Sequence, residues 1–163
     1  MRKTVIVSLL LFAALNVVGR SYPFKITSSY QVELVRVAPK GLKYYKAWGE
    51  GSSVNKAMEI AMQNAVAASV FTGVRGNEHA GSVPPLCESP SAYHDHKNYF
   101  DSFFKKGDFL LYVENVNSQY PSGDDNLRSS KGHKVAVYVV VKYDDLRKKL
   151  QQDGIIKSLD SYF

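Results

Sequence analysis

The chain has 163 residues, enough for one domain around one core, and its formal charge of +6 comes without any tract of clustered Lys or Arg, which argues against a nucleic-acid surface. A single cysteine, Cys87, excludes an intrachain disulfide, so apolar burial has to carry stability. Beyond the first 19 residues no apolar run is long enough to span a bilayer.

At the N-terminus, Arg2 and Lys3 precede an apolar run over 5–18 that only Ser8 and Asn16 interrupt. Val17-Val18-Gly19 then places small or β-branched residues where a signal peptidase cuts, which completes the three-part pattern of a secretory signal peptide over 1–19. The run is short for a membrane span, and no cysteine follows it that could take a lipid. The expected product is an exported chain, periplasmic or outer-membrane-associated, not lipid-anchored, with a charge of +4 once Arg2 and Lys3 are set aside.

Residues 20–29 are polar and aromatic without a period and read as a loosely ordered leader to a single domain over 30–163. Residues 31–37 read as a strand, Ala38-Pro39-Lys40-Gly41 as a turn, and 42–48 as a second strand, together a hairpin. Gly49 and Gly51 bracket Glu50 at a strand-to-helix corner, and Ser52 or Ser53 caps the helix that follows. On that helix Ala57, Ala61, Ala65 and Ala68 share one face, while Lys56, Glu59, Gln63 and Asn64 share the other; it ends near Thr72-Gly73.

Six Gly and Pro residues make 73–90 a long irregular loop. Ser89-Pro90 opens a second helix carrying Tyr93, Tyr99, Phe100, Phe103 and Phe104, and Gly107 stops it. Residues 108–117 are expected to form a strand with Phe109, Leu111 and Val113 on one face, and 118–132 a polar hairpin loop. The clearest strand follows: Val135, Val137, Val139, Val141 and Tyr143 face one way, and Lys134, Ala136, Tyr138, Val140 and Lys142 the other. Asp144 or Asp145 caps a short helix with Leu146 and Leu150, Gly154 closes it, and the apolar tail to Phe163 is expected to dock on the body. The order β-β-α-α-β-β-α predicts an α+β fold, a two-layer sandwich with an antiparallel sheet of about four strands and helices on one face.

The segment Ala47-Trp48-Gly49-Glu50-Gly51-Ser52, followed by regularly spaced alanines and Asn64-Ala65-Val66, resembles the N-terminal domain of flagellar assembly protein T and related small bacterial envelope lipoproteins. The likeness continues through Tyr99-Phe100, 109–114, 135–141 and Asp144-Asp145-Leu146, and so covers most of 42–154. It implies a two-layer α+β envelope domain that acts by protein or surface interaction without catalysis, and it brings no catalytic residues with it. The chain departs from the lipoprotein relatives in lacking their anchoring cysteine, and from the flagellar protein in lacking a second domain.

Cys87, His94 and His96 are the candidate metal ligands, yet on one continuous helix His94 and His96 point about 200° apart and cannot share an ion. No base is placed beside Cys87 by any recognisable motif, so catalysis is not expected, nor a bound cofactor. Glu50 reads as a favourable charge near a helix start, and Asp124-Asp125-Asn126 as a turn. The aromatic content, eleven Tyr, eight Phe and one Trp, exceeds what one small core needs. An interaction surface is expected from Lys134, Tyr138 and Lys142 on the exposed sheet face, with Tyr120 and Tyr93 and the loops 73–90 and 118–132. The reading is a non-catalytic envelope protein whose partner is another envelope protein or itself; the rival is a small-ligand or metal-binding periplasmic protein using Cys87, His94 and His96.

Overall fold

A computed structural model describes residues 21–117, 120–130 and 132–157. The proposed signal peptide at 1–19 lies outside the described residues, as do Leu159, Tyr162 and Phe163 of the tail. The fold is α+β: β1 (Val32–Ala38), β2 (Leu42–Gly51), α1 (Val54–Ala67), α2 (Ala92–Asp95), α3 (Lys97–Lys105), β3 (Val113–Asn115), β4 (Asn126–Ser129), β5 (Gly132–Lys142) and α4 (Tyr143–Gln152). The five strands form one antiparallel sheet in the order β1-β2-β5-β3, with β4 also on β5. No helix among the described residues is long and apolar enough to cross a membrane.

β2 and β5 pair along their whole length, from Leu42 opposite Lys142 to Gly51 opposite His133. Because strand side chains alternate, this register puts Tyr45 and Ala47 on one face with Val135, Val137, Val139 and Val141, all buried. α1 lies over that face. Ser53 caps it by accepting the Lys56 amide at 3.2 Å, and Ala57, Ala61 and Ala65 are fully enclosed. A Cβ on Gly49 would sit 2.2 Å from the Ala57 carbonyl oxygen, so helix and strand meet backbone to backbone only because that position is glycine.

The helix widens at its end into a π-helical turn (Ala68–Thr72), closed by the Gly73 amide donating to Ala68 O at 2.8 Å. Two carbonyls of that turn are taken up by the following loop: Leu86 N donates to Ser69 O and Cys87 N to Val70 O, each at 2.9 Å. The loop is therefore fastened rather than loose. A Val74–Val83 bridge ties its start to its middle, and Asn77 Nδ2 donates to Leu34 O at 2.6 Å, beside the irregularity in β1 between Leu34 and Arg36.

Four expectations are corrected. Residues 108–112 form a 3-10 turn, not a strand: Gly107 adopts φ 88°, the Leu110 amide bonds back to its carbonyl, and Phe109 is buried while Leu111 is 68 % exposed. The loop 118–132 contains β4, which makes five strands instead of four. The aromatic helix breaks at His96 into α2 and α3. The leader is packed: Tyr22 N donates to Lys105 O, its ring meets Phe109 edge-on at 5.5 Å, and Phe24 stacks on Phe104 at 3.9 Å.

Candidate functional site: the uncovered face of the sheet

Residues of β2 and β5 that alternate with the core positions point away from α1. Their register places Lys46 opposite Tyr138, Glu50 opposite Lys134 and Leu42 opposite Lys142. On β1, Arg36 lies opposite Tyr44 and Glu33 opposite Lys46. The expected residues Lys134, Tyr138 and Lys142 thus do share one face, and it is only partly exposed.

Cations and rings interleave across it. The Arg36 guanidinium lies 3.6 Å from the centre of the Tyr44 ring. Lys46 Nζ is 5.3 Å from Trp48 and 5.5 Å from Tyr138, and Lys134 Nζ is 5.5 Å from Trp48. Acids from outside the two central strands then neutralise the array. Asp125 reaches Lys46 at 2.7 Å and raises its pKa, chiefly through that hydrogen bond, and Glu114 of β3 pairs with Lys142. Arg36, Lys46, Lys134 and Lys142 therefore share the face with Glu33, Glu50, Glu114 and Asp125, and it is charge-balanced. A shallow depression of about 380 Å³ crosses it between Arg36, Tyr44, Val116, Asn117 and Tyr138. Val35 and Val116 at its rim are 40 % and 45 % exposed.

Two candidates lie elsewhere. Tyr120 is exposed but hydrogen-bonds Asn55 Oδ1 at 2.7 Å, beside the start of α1. Tyr93 is buried: its ring packs on Phe24, Phe71 and Phe100, and its hydroxyl donates to Asp101 at 2.7 Å, so it is no surface residue. Arg36, Tyr44, Lys46 and Trp48 were not anticipated as site residues. Their period of two was visible, but both sides of 42–48 carry aromatic or apolar residues, so only pairing with β5 reveals which side stays open.

Of the candidate metal ligands, Cys87 and His96 line the same cavity, whereas His94 is exposed and sits edge-on to Tyr93. Among the described residues no group of three His, Cys, Asp or Glu could hold a metal ion. Burial pushes the Cys87 thiol up to about 11, which keeps it neutral and poorly nucleophilic at neutral pH.

The fold and this face define a two-layer α+β protein with one layer of helices and one open sheet surface. No family model, no curated protein and no solved structure matches the chain.

Proposed function

We propose that the chain is a non-catalytic interaction or assembly module of the cell envelope, and that it docks another envelope protein on the open face of the sheet. The observation that carries this reading is the charge-balanced aromatic array of Tyr44, Trp48 and Tyr138 interleaved with Arg36, Lys46 and Lys134. Rings and a guanidinium offer large contact area at low entropic cost, as interface centres do. The acids at Lys46 and Lys142 argue against a polyanionic partner, because a nucleic-acid surface needs uncompensated cations tracking a phosphate backbone. Export rests on the N-terminal sequence pattern, and protein isolated from the source cell is expected to begin near Arg20.

Site-specific photocrosslinking tests the docking. A crosslinker at Tyr138 is expected to capture one discrete envelope protein, and the capture should be lost in a Lys46→Ala, Trp48→Ala variant. A crosslinker at exposed Lys148 on α4 serves as the reference surface. Crosslinks between copies of the chain at Tyr138 would reassign the face to self-association. Capture from Lys148 and not from Tyr138 overturns the assignment, and so does no capture at either site from a monomeric chain.

A further inference from the structure

A second cavity, of about 340 Å³, lies outside the sheet face, between the 86–89 loop, the α2–α3 break and α4 with the residues after it. That size is within the range of small-molecule sites. Its most informative group is Arg147 on α4. The Nε of Arg147 is buried and has no hydrogen-bond partner among the described residues. Its guanidinium is 5.3 Å from the centre of the Tyr143 ring, and Tyr143 is itself held by its hydroxyl donating to Pro84 O at 2.6 Å. Arg147 thus lines the cavity beside a fixed ring, one of its donors bonds nothing among the described residues, and its planar fork matches a carboxylate.

The other charged groups of the cavity decide which oxyanion fits. Lys157 lies at its wall, as do His96 and the carboxylates Glu88 and Asp95. Asp95 accepts the Ser91 hydroxyl, and the Nε of Arg147 bonds neither carboxylate. Two carboxylates disfavour a multiply charged anion such as phosphate and offer positions for a ligand ammonium. Ile155, Ile156 and Leu86 supply an apolar wall between the charged groups. A carboxylate, an ammonium and an apolar body together describe one chemical class.

We propose that this cavity binds a small zwitterion of the amino-acid class, with its carboxylate on Arg147 and its ammonium toward Glu88 and Asp95. The site uses none of the residues of the sheet face, so its fate and that of the docking surface are separable.

The test is an NMR titration of the isotope-labelled full chain with L-leucine, acetate, methylamine and inorganic phosphate, each into the millimolar range. L-Leucine is expected to shift the amides of Ala92, Ile155 and Ile156 saturably, with acetate and methylamine at least tenfold weaker. Arg147→Gln is expected to weaken leucine at least tenfold, and Arg147→Lys nearly as much because the planar, forked donor is lost. Tyr138→Ser should leave the affinity unchanged. If Arg147→Gln fails to fold, Glu88→Gln replaces it and should weaken leucine while sparing acetate. Phosphate binding more tightly than leucine would make the cavity a plain oxyanion site and overturn the assignment. No saturable shift with any probe, or undiminished leucine binding in a folded Arg147→Gln, also overturns it.

Discussion

The Cα of Gly49 faces the backbone of Ala57 so closely that a Cβ there would meet the Ala57 carbonyl oxygen at 2.2 Å and the Ala61 amide nitrogen at 2.4 Å. Neither obstacle is a side chain that can rotate away. Gly49→Ala must therefore push α1 off β2, along the contact that holds the two layers together. The substitution is expected to cost about 3 kcal/mol or more, at the upper end of overpacking effects. Gly81→Ala, where an added Cβ meets nothing within 4 Å, should stay within about 0.5 kcal/mol of the parent. Chemical denaturation followed by circular dichroism measures both.

Asn77 does for the long loop what Gly49 does for the layers. Its Oδ1 accepts the amides of His79 and Ala80 at 2.8 and 2.9 Å, shaping the loop tip, while Nδ2 reaches 43 residues back to Leu34 O. Asn77→Ala loses both functions and is expected to cost about 1–2 kcal/mol, with faster proteolytic cleavage within 73–90. Asn77→Asp keeps the acceptor and loses the strap to β1. It should preserve the tip yet still show accelerated cleavage, which limited proteolysis with mass spectrometry can read.

The elements legible in the sequence are those whose own pattern matches their environment. The alternation through 132–142 and the alanine spacing of α1 each repeat the geometry that buries them. The misread ones owe their state to something outside their own pattern. Phe109, Leu111 and Val113 have strand spacing, but the left-handed Gly107 turns the chain so that 108–112 coil before pairing begins at Val113. β4, Asn-Leu-Arg-Ser, has no strand pattern of its own and exists because the edge of β5 between Gly132 and Val135 is open to it. Gln63, grouped by spacing with the exposed face of α1, is 4 % exposed because the packed leader covers it. The same logic divides the site. Lys134, Tyr138 and Lys142 share a face by strand period alone, whereas Asp125 and Glu114 arrive through a 3-10 turn and a three-residue strand whose register no local pattern encodes.

Cys87 gives the fold a measurable dependence on alkaline pH. Its thiol rises from an ordinary 9.0 to about 11 because burial penalises the thiolate. The folded chain then holds this proton more tightly than the unfolded one. The associated stability is complete below about pH 9 and is lost as pH climbs through about 11. Two units correspond to roughly 2–3 kcal/mol at most. Buried Tyr45, also raised by desolvation, adds to the loss in the same direction at higher pH. Denaturant melts between pH 8 and 11 should show stability falling, with a smaller fall in Cys87→Ala. Native Cys87 should react slowly with a thiol-specific reagent at pH 8 and at the rate of an ordinary thiol once unfolded.

Ser69, in the π-helical turn after α1, and Tyr45 on β2 form a polar contact within the core, and each is fully buried. Ser69 Oγ lies 3.0 Å from Ala65 O and 3.3 Å from the Tyr45 hydroxyl oxygen. A serine has one hydroxyl hydrogen, so Ser69 shares it between Ala65 O and the Tyr45 hydroxyl oxygen, which accepts. Ser69→Ala would leave the Tyr45 hydroxyl buried without that donor, at a cost of about 1–3 kcal/mol. Tyr45→Phe removes one acceptor while Ser69 keeps Ala65 O, and should cost about 1 kcal/mol or less. The double variant should be no less stable than Ser69→Ala alone, since the orphaned hydroxyl is gone. A double-mutant cycle by denaturant melts reads this as a coupling of about 1 kcal/mol or more. Additive losses would mean that Ser69 does not donate to Tyr45 and that the two hydroxyls act independently.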